Sequence, residues 1–542
     1  MSDNRKRPYS SNRFSEELDE IHARREAEAA RRKKRKTAAS GRPGRKSSGG
    51  SRNGSRQRQG SGSARKKVTY RSGNTSRPAP RRKRTTSSGP RTRKRNLRRT
   101  FGCLGSILVL ALVCFCFAKF YQKYQIYQEQ KKAEEVKQEI ISQANEMAAG
   151  YDYDGAMTKL QTVKGYKTDD EVQANLKKWA AAKENLVEFT AADVTHIFYH
   201  TLVRDTKLAF DCDPGIAEGF KKWMTTIKEF RKITQIMYDE GYVLCSLYDF
   251  FDETYDEGGT PHFTNKSVWL PEGKKPFVLS LDDLSYYHTY TGHGMATKLV
   301  LDEEGKVTCE YETEDGTVET GSFDCVPLLD DFMEEHPDGA YHGARGTIAL
   351  TGYNGIFGYR TDESYVTREN LDADKVEWLD AHPDFDRKVE INGAETIARA
   401  LRKEGWTFAS HTWGHIRVGK ASLEKIKIDT EKWLKNVAPI IGNTECIIFA
   451  HGQDLSPTDE YDTENNEKYK YLASKGFHIF LNVDSHQKTM EVHDLYVHGG
   501  RRNLDGYRLW TDAHGISDWT SDLFKASEIL DSRRTDMPEQ NE

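Results

Sequence analysis

Two short segments of this 542-residue chain carry side chains that could do chemistry together. The first, PFVLSLDDLSYY, ends an apolar run in two adjacent carboxylates, Asp282 and Asp283. The second, WTFASHTWGH, places His411 and His415 directly after another apolar run. Four residues apart on a turn or a first helical turn, the two imidazoles can share one ion. One carboxylate completes a three-ligand site with a position left open for water, the arrangement of catalytic zinc. Water bound there has a pKa of about 7, and the second carboxylate can act as general base beside it. The ion would also polarise a carbonyl under attack and stabilise the oxyanion. The set therefore fits hydrolysis of an amide or ester. Taken singly the patterns say little, since HxxxH arises often by chance and Asp-Asp usually marks a turn or a cap. Their joint placement is what gives them weight, because the C-terminal strand ends of an α/β barrel face its active site.

The elements that must position these residues can be read from about residue 192 onward. Short apolar runs rich in β-branched and aromatic residues occur at 196–202, 277–281, 346–350, 407–410, 446–450 and 477–483. Helix-like stretches at 216–238, 394–403, 423–437 and 466–475 separate several of them. Strands alternating with helices predict a parallel α/β sheet or barrel. Residues 296–323 break the scheme. They alternate polar and apolar around Glu304-Gly305 and Asp315-Gly316, which predicts an inserted β-hairpin or meander.

The first half of the chain has a different character. The formal net charge of -2 hides 33 Lys+Arg against 7 Asp+Glu in residues 1–100, and 48 against 76 in the remainder. Residues 1–100 hold only Tyr9, Phe14 and Tyr70 as aromatics, too little apolar surface to offset ordering the backbone. They read as a disordered basic tail. Residues 101–118, FGCLGSILVLALVCFCFA, carry no charge and span about 27 Å as a helix, close to the hydrocarbon thickness of a bilayer. Arg93, Lys94, Arg95, Arg98 and Arg99 crowd the front edge, and Tyr121, Tyr124 and Tyr127 follow as an interfacial belt. The positive-inside rule then places the tail in the cytoplasm and the rest outside, as in a single-pass signal anchor. Residues 119–191 read as a helical stalk of about three helices, broken at Gly150-Tyr151 and Gly165-Tyr166. Only one long apolar run exists, which excludes a polytopic transporter. Of the eight cysteines, five lie beyond the span, an odd number that argues against a fully paired disulfide scaffold. Cys309 and Cys325 are one candidate bridge across the hairpin.

The motifs resemble the polysaccharide deacetylase (NodB-homology) family, whose first motif is typically T-F-D-D-G and second H-[ST]-x-x-H. Here they stand as Ser280-Leu281-Asp282-Asp283-Leu284 and His411-Thr412-Trp413-Gly414-His415. The resemblance covers about residues 192–530, with FYHTL at 198–202 similar to the early strand of many bacterial members, and 531–542 left as a polar tail. It implies a distorted (β/α) barrel, one divalent metal ion with zinc first in line, and removal of N- or O-acetyl groups from a glycan. It further implies Asp282 as general base and Asp283, His411 and His415 as metal ligands. Several departures stand beside it. Leu284 replaces the usual Gly, and about 130 residues separate the motifs. The family's R-x-P-Y motif has no clean counterpart, with Phe449-Ala450-His451-Gly452 where it is expected. His451, His486 and His498 are the candidates for a general acid. Arg501 and Arg502 could orient a carboxylate or bind substrate, but such arginines more often make structural ion pairs, and they are left outside the site.

The expected function is that of a membrane-anchored, metal-dependent hydrolase, removing acetyl groups, N-acetyl first, from an extracellular or cell-wall polysaccharide. Its expected partners are that acetylated polysaccharide and, through one helix, membrane lipid. The alternative is a catalytically degenerate barrel that binds glycan or protein, which the missing R-x-P-Y motif favours and the intact Asp-Asp and HxxxH set opposes. The basic tail suits contact with acidic lipid. No stacking aromatics interleave its arginines, so no specific nucleic acid is expected.

Overall fold

The computed structural model describes residues 95–369, 371–456, 460–483, 490–535 and 537, with side chains from residue 105 onward. Residues 1–94 of the expected basic tail, His486 and half of the polar C-terminal tail (536 and 538–542) lie outside the described residues. The described residues divide into two units, one from Lys137 onward and the other ending at Val136. Helix α1, Arg95–Ala149, runs through both. Its stretch from Gly105 is long and apolar enough to cross a membrane, and the side chains of residues 105–136 are exposed.

Within the larger unit, the last turns of α1 pack on α2 (Tyr153–Leu160) and α3 (Asp170–Lys183). Ile141, Ala144 and Ala148 meet Ala156, Leu160, Val172 and Trp179 in a small core of their own. The expected breaks are present. Tyr151 takes a left-handed conformation (φ 67°) and Gly165 another (φ 82°). The Tyr151 hydroxyl donates to the Asp338 carbonyl (2.8 Å), and the His342 N–H donates to the Gly150 carbonyl (2.8 Å). These helices are thus tied to the domain that follows.

That domain is an α/β barrel of seven parallel strands arranged in chain order. The strands are β1 (Thr195–Tyr199), β2 (Lys275–Asp282), β3 (Thr347–Leu350), β4 (Thr407–Ser410), β5 (Cys446–Ile448), β6 (Ile479–Val483) and β7 (Val497–Asn503). β7 pairs with β1, which closes the ring. The barrel is distorted beside β2. One edge of β2 pairs with β1, while its other edge is shared by strand Tyr242–Cys245 at residues 275–278 and by β3 at 280–282.

The period of two sorts the residues. Small and aliphatic side chains fill the interior, among them Val278, Ala349, Ala409, Ile448, Leu481 and Val497. Larger neighbours such as Phe277, Leu279, Ile348, Phe408 and Phe480 turn outward to a second apolar layer shared with helices Ile227–Asp239, Arg387–Glu404 and Leu423–Asn436. Burying each such side chain contributes about 1.5–3 kcal/mol. The inserted segment forms an antiparallel three-stranded meander (Lys298–Leu301, Val307–Glu312, Val318–Gly321) with Gly305 and Gly316 at its turns (φ 83° and 82°). Cys309 and Cys325 are both buried and free, so they do not form the candidate bridge. The single helix expected over 216–238 is two helices, Pro214–Trp223 and Ile227–Asp239. The second starts at a capping box in which Thr226 and Glu229 satisfy each other's backbone N–H groups.

Candidate active site

β2 sends its two terminal carboxylates to different tasks. Asp282 is the last residue of the strand and continues the inward series of Val278 and Ser280. Asp283 then takes a left-handed backbone (φ 60°), which ends the strand and turns its side chain away. Its carboxylate accepts the Tyr287 hydroxyl at 2.5 Å, and that hydroxyl also lies 2.7 Å from Thr351 Oγ1. Positive φ falls at Asp283 and Tyr286 rather than at 284. Leu284 can therefore stand where the resemblance has Gly, buried in the outer core.

His411 lies one residue beyond β4. Its backbone N–H donates to the Leu350 carbonyl (3.0 Å), an oxygen that also accepts the indole N–H of buried Trp433 (2.9 Å). The His411 Nδ1 lies 2.8 Å from the Ile448 carbonyl. A carbonyl only accepts, so Nδ1 carries the proton and Nε2 presents its lone pair. Of the two paths expected to His415, a turn or a first helical turn, the chain takes a turn, with Thr412 (φ 63°) and His415 (φ 52°) both left-handed. Asp429, on helix Leu423–Asn436, holds this loop by accepting the N–H groups of Trp413 (2.7 Å) and Gly414 (2.8 Å). Burial raises the Asp429 pKa to about 6. From β5 side, the His451 Nε2–H donates to the His415 carbonyl (3.0 Å). Four non-glycine residues with positive φ thus gather here, Asp283, Thr412, His415 and His451. Such conformations cost about 1–3 kcal/mol each and persist where surrounding contacts over-determine them.

The outcome is a cluster in which one ligand atom each from Asp283, His411 and His415 lies within 4.8 Å of the others. The Asp283 carboxylate is 3.5 Å from His415 Nε2, and the two imidazole centroids are 5.0 Å apart. Two imidazoles and one carboxylate, with the His411 tautomer already set, suit a divalent ion.

Asp282 stands beside this cluster but is committed elsewhere. Arg501 on β7 grips it with two hydrogen bonds, Nη1 to Oδ1 (2.7 Å) and Nη2 to Oδ2 (2.9 Å). Arg501 is 0% exposed, donates also to Ser280 Oγ (2.9 Å), and lies over the Phe198 ring. Burial alone would push the Asp282 carboxyl up, but the Arg501 charge holds it at about 2. An ionised carboxylate is thereby kept 4.0 Å from His411 Nε2. Arg501 consequently belongs to the site, contrary to the expectation from sequence, whereas Arg502 is a structural arginine paired with Asp522 (2.7 Å).

The general-acid candidates separate by position. His498 lies three residues before Arg501 on β7 and so on the opposite, outer face. There its Nε2 meets Asp454 (2.8 Å) beside the Tyr461 ring. His451 packs its ring against that of His415 (centroids 4.1 Å), and burial, reinforced by His415, brings its pKa down to about 2. It is therefore neutral and holds the His415 backbone. His200, next on the inward register of β1 after His196 and Phe198, comes near enough to Asp282 and Asp505 to act on both electrostatically. The sequence reading left Arg501 outside the site, although orienting a carboxylate was one role open to it, and it missed Tyr287, Asp429 and His200.

No protein-family match and no curated relative was found for the chain. Among solved structures, it is similar to a Streptococcus pyogenes deacetylase, PplD, in complex with acetate. The similarity has 11% sequence identity and a TM-score of 0.28, over 60% of this chain and 98% of that one. So slight a likeness carries no part of the assignment, which rests on the geometry of the barrel mouth.

Proposed function

We propose that the chain is a metal-dependent deacetylase acting on an acetylated glycan, N-acetyl groups first, outside the cell or in its wall. The observation that carries this reading is the Asp283–His411–His415 cluster at the barrel mouth beside an Asp282 carboxylate clamped by Arg501. A divalent ion bound there, zinc first among the candidates, would polarise the acetyl carbonyl and acidify a water molecule. Asp282 takes the proton of the attacking water as the new C–O bond forms, and Arg501 keeps that carboxylate ionised and aimed. The C–N bond then breaks and the proton goes to nitrogen, leaving acetate and a free amine. Tyr287 orients Asp283, the Ile448 carbonyl orients His411, and Asp429 with His451 fixes the backbone around His415.

The reading of a degenerate binding barrel leaned on a missing arginine motif. Arg501 supplies an arginine to Asp282 from another strand, which removes that support. α1 would anchor the enzyme as a single-pass helix with the N-terminus cytoplasmic and the barrel outside. Acetate release from a panel of N- and O-acetylated oligosaccharides, wild type beside Asp282→Asn, tests the proposal. Release by the wild type that falls at least a hundredfold in the variant is expected. No release from any acetylated glycan with divalent metal supplied would leave the barrel a binding module.

A further inference from the structure

The rim beside the cluster carries an aromatic pair and two ammonium groups that the reaction above does not use. Tyr353 and Trp413, both half-buried, meet edge to face with centroids 6.5 Å apart. Tyr353 stacks on Tyr287 (5.3 Å), the residue that holds Asp283, and Trp413 lies between His411 and His415 in the chain. The pair therefore borders the reacting centre directly. Lys432 places its ammonium 3.9 Å from the Trp413 ring centroid. The Lys375 ammonium sits 5.7 Å from the Tyr353 centroid and 5.5 Å from that of Tyr365.

Among the described residues neither lysine makes an ion pair with a carboxylate, although Lys375 is only 5% exposed. The two carboxylates that act on Lys375, Asp372 and Asp362, have other hydrogen-bond duties. Asp372 caps its helix through the Lys375 backbone N–H, and Asp362 accepts the Trp413 indole N–H (3.0 Å) and the Ser364 N–H (2.9 Å). A cation buried this deeply without a paired anion is costly, and the cost is recovered when an anion arrives. Aromatic faces beside it suit the C–H face of a pyranose ring.

We propose that this rim is a subsite for a carboxylate-bearing sugar next to the acetylated one. The substrate is then an acidic glycan rather than a neutral chitin-like oligomer. The inference rests on the deacetylase reading for the identity of the neighbouring sugar. Its test is a binding measurement, separate from turnover.

The full chain in detergent micelles is titrated by calorimetry with a hyaluronan hexasaccharide, and with the same hexasaccharide after its carboxylates are reduced to alcohols. Binding of the acidic form at least tenfold tighter than the reduced form is expected. Lys375→Met/Lys432→Met should bring the two within twofold, with metal stoichiometry and circular dichroism unchanged. Lys432→Gln alone, a change at a half-buried position, should narrow the gap severalfold. Equal binding of both forms, no binding of either, or a preference that survives the double variant would each overturn the proposal. If the preference holds but acetate is never released, the deacetylase reading fails and the subsite stands; the converse sinks the subsite alone.

Discussion

Replacing Arg501 by Met removes the partner of a carboxylate that is almost fully buried. Asp282 is 3% exposed, yet its pKa is held at about 2 rather than 3.8. That downward shift corresponds to about 2–3 kcal/mol in favour of the ionised form, and it is what remains after burial has worked against it. Losing Arg501 forfeits this gain and exposes the burial penalty, so Arg501→Met should destabilise the barrel by about 3–5 kcal/mol at pH 7.5. The sign of the pH dependence also inverts. In the wild type the folded pKa lies below the unfolded one, so the pair stabilises above about pH 4 and its contribution is lost as pH falls towards 2. In Arg501→Met the folded pKa lies above the unfolded one, and the variant should regain stability as pH falls towards 4. Asp282→Asn/Arg501→Met removes both charges and should recover at least half of the single variant's loss. Urea unfolding followed by tryptophan fluorescence reads all three, with Trp406 and Trp433 both buried as reporters. A loss under 1 kcal/mol in Arg501→Met, or a double variant whose loss equals the sum of the two singles, would refute the reasoning.

Other residues make separate predictions. Tyr287→Phe deletes the hydroxyl that holds Asp283 and should weaken metal affinity about 10–100-fold, read by competition with a chelating dye. His498→Asn should cost about 1–2 kcal/mol in urea unfolding, because Asp454 loses a buried partner. Acetate release by that variant should stay within twofold of wild type, whereas a hundredfold loss would return His498 to the active site. Asp429→Asn keeps the size of the carboxyl group but loses one of two acceptors for the Trp413 and Gly414 N–H groups. It should lower metal affinity at least tenfold while circular dichroism is retained.

Much of the barrel was legible because its strands are apolar runs that stop at polar chemistry. β2 and β4 end where Asp282 and His411 begin, and Glu304-Gly305 and Asp315-Gly316 mark the turns of the meander at their true places. The closing strand was not legible. Val497–Asn503 reads VHGGRRN, with paired glycines and arginines that propensity assigns to a loop. Only the closed ring turns Gly499 and Arg501 inward, and it brings the guanidinium to Asp282 from a strand five places later in chain order. The left-handed backbones at Thr412 and His415 were equally hidden, since they are imposed by Asp429 and His451 from elements far away in sequence. Local spacing suggested which residues could share an ion; tertiary contacts decide how they do so.

The central claim is tested most directly by metal stoichiometry on the purified full chain, wild type beside a His411→Ala/His415→Ala variant, by elemental analysis after equilibration with zinc. A single tightly held ion per wild-type chain, lost in a variant that keeps its circular dichroism, is the predicted result. A folded wild type that holds no ion, or a variant that retains it, would contradict the account.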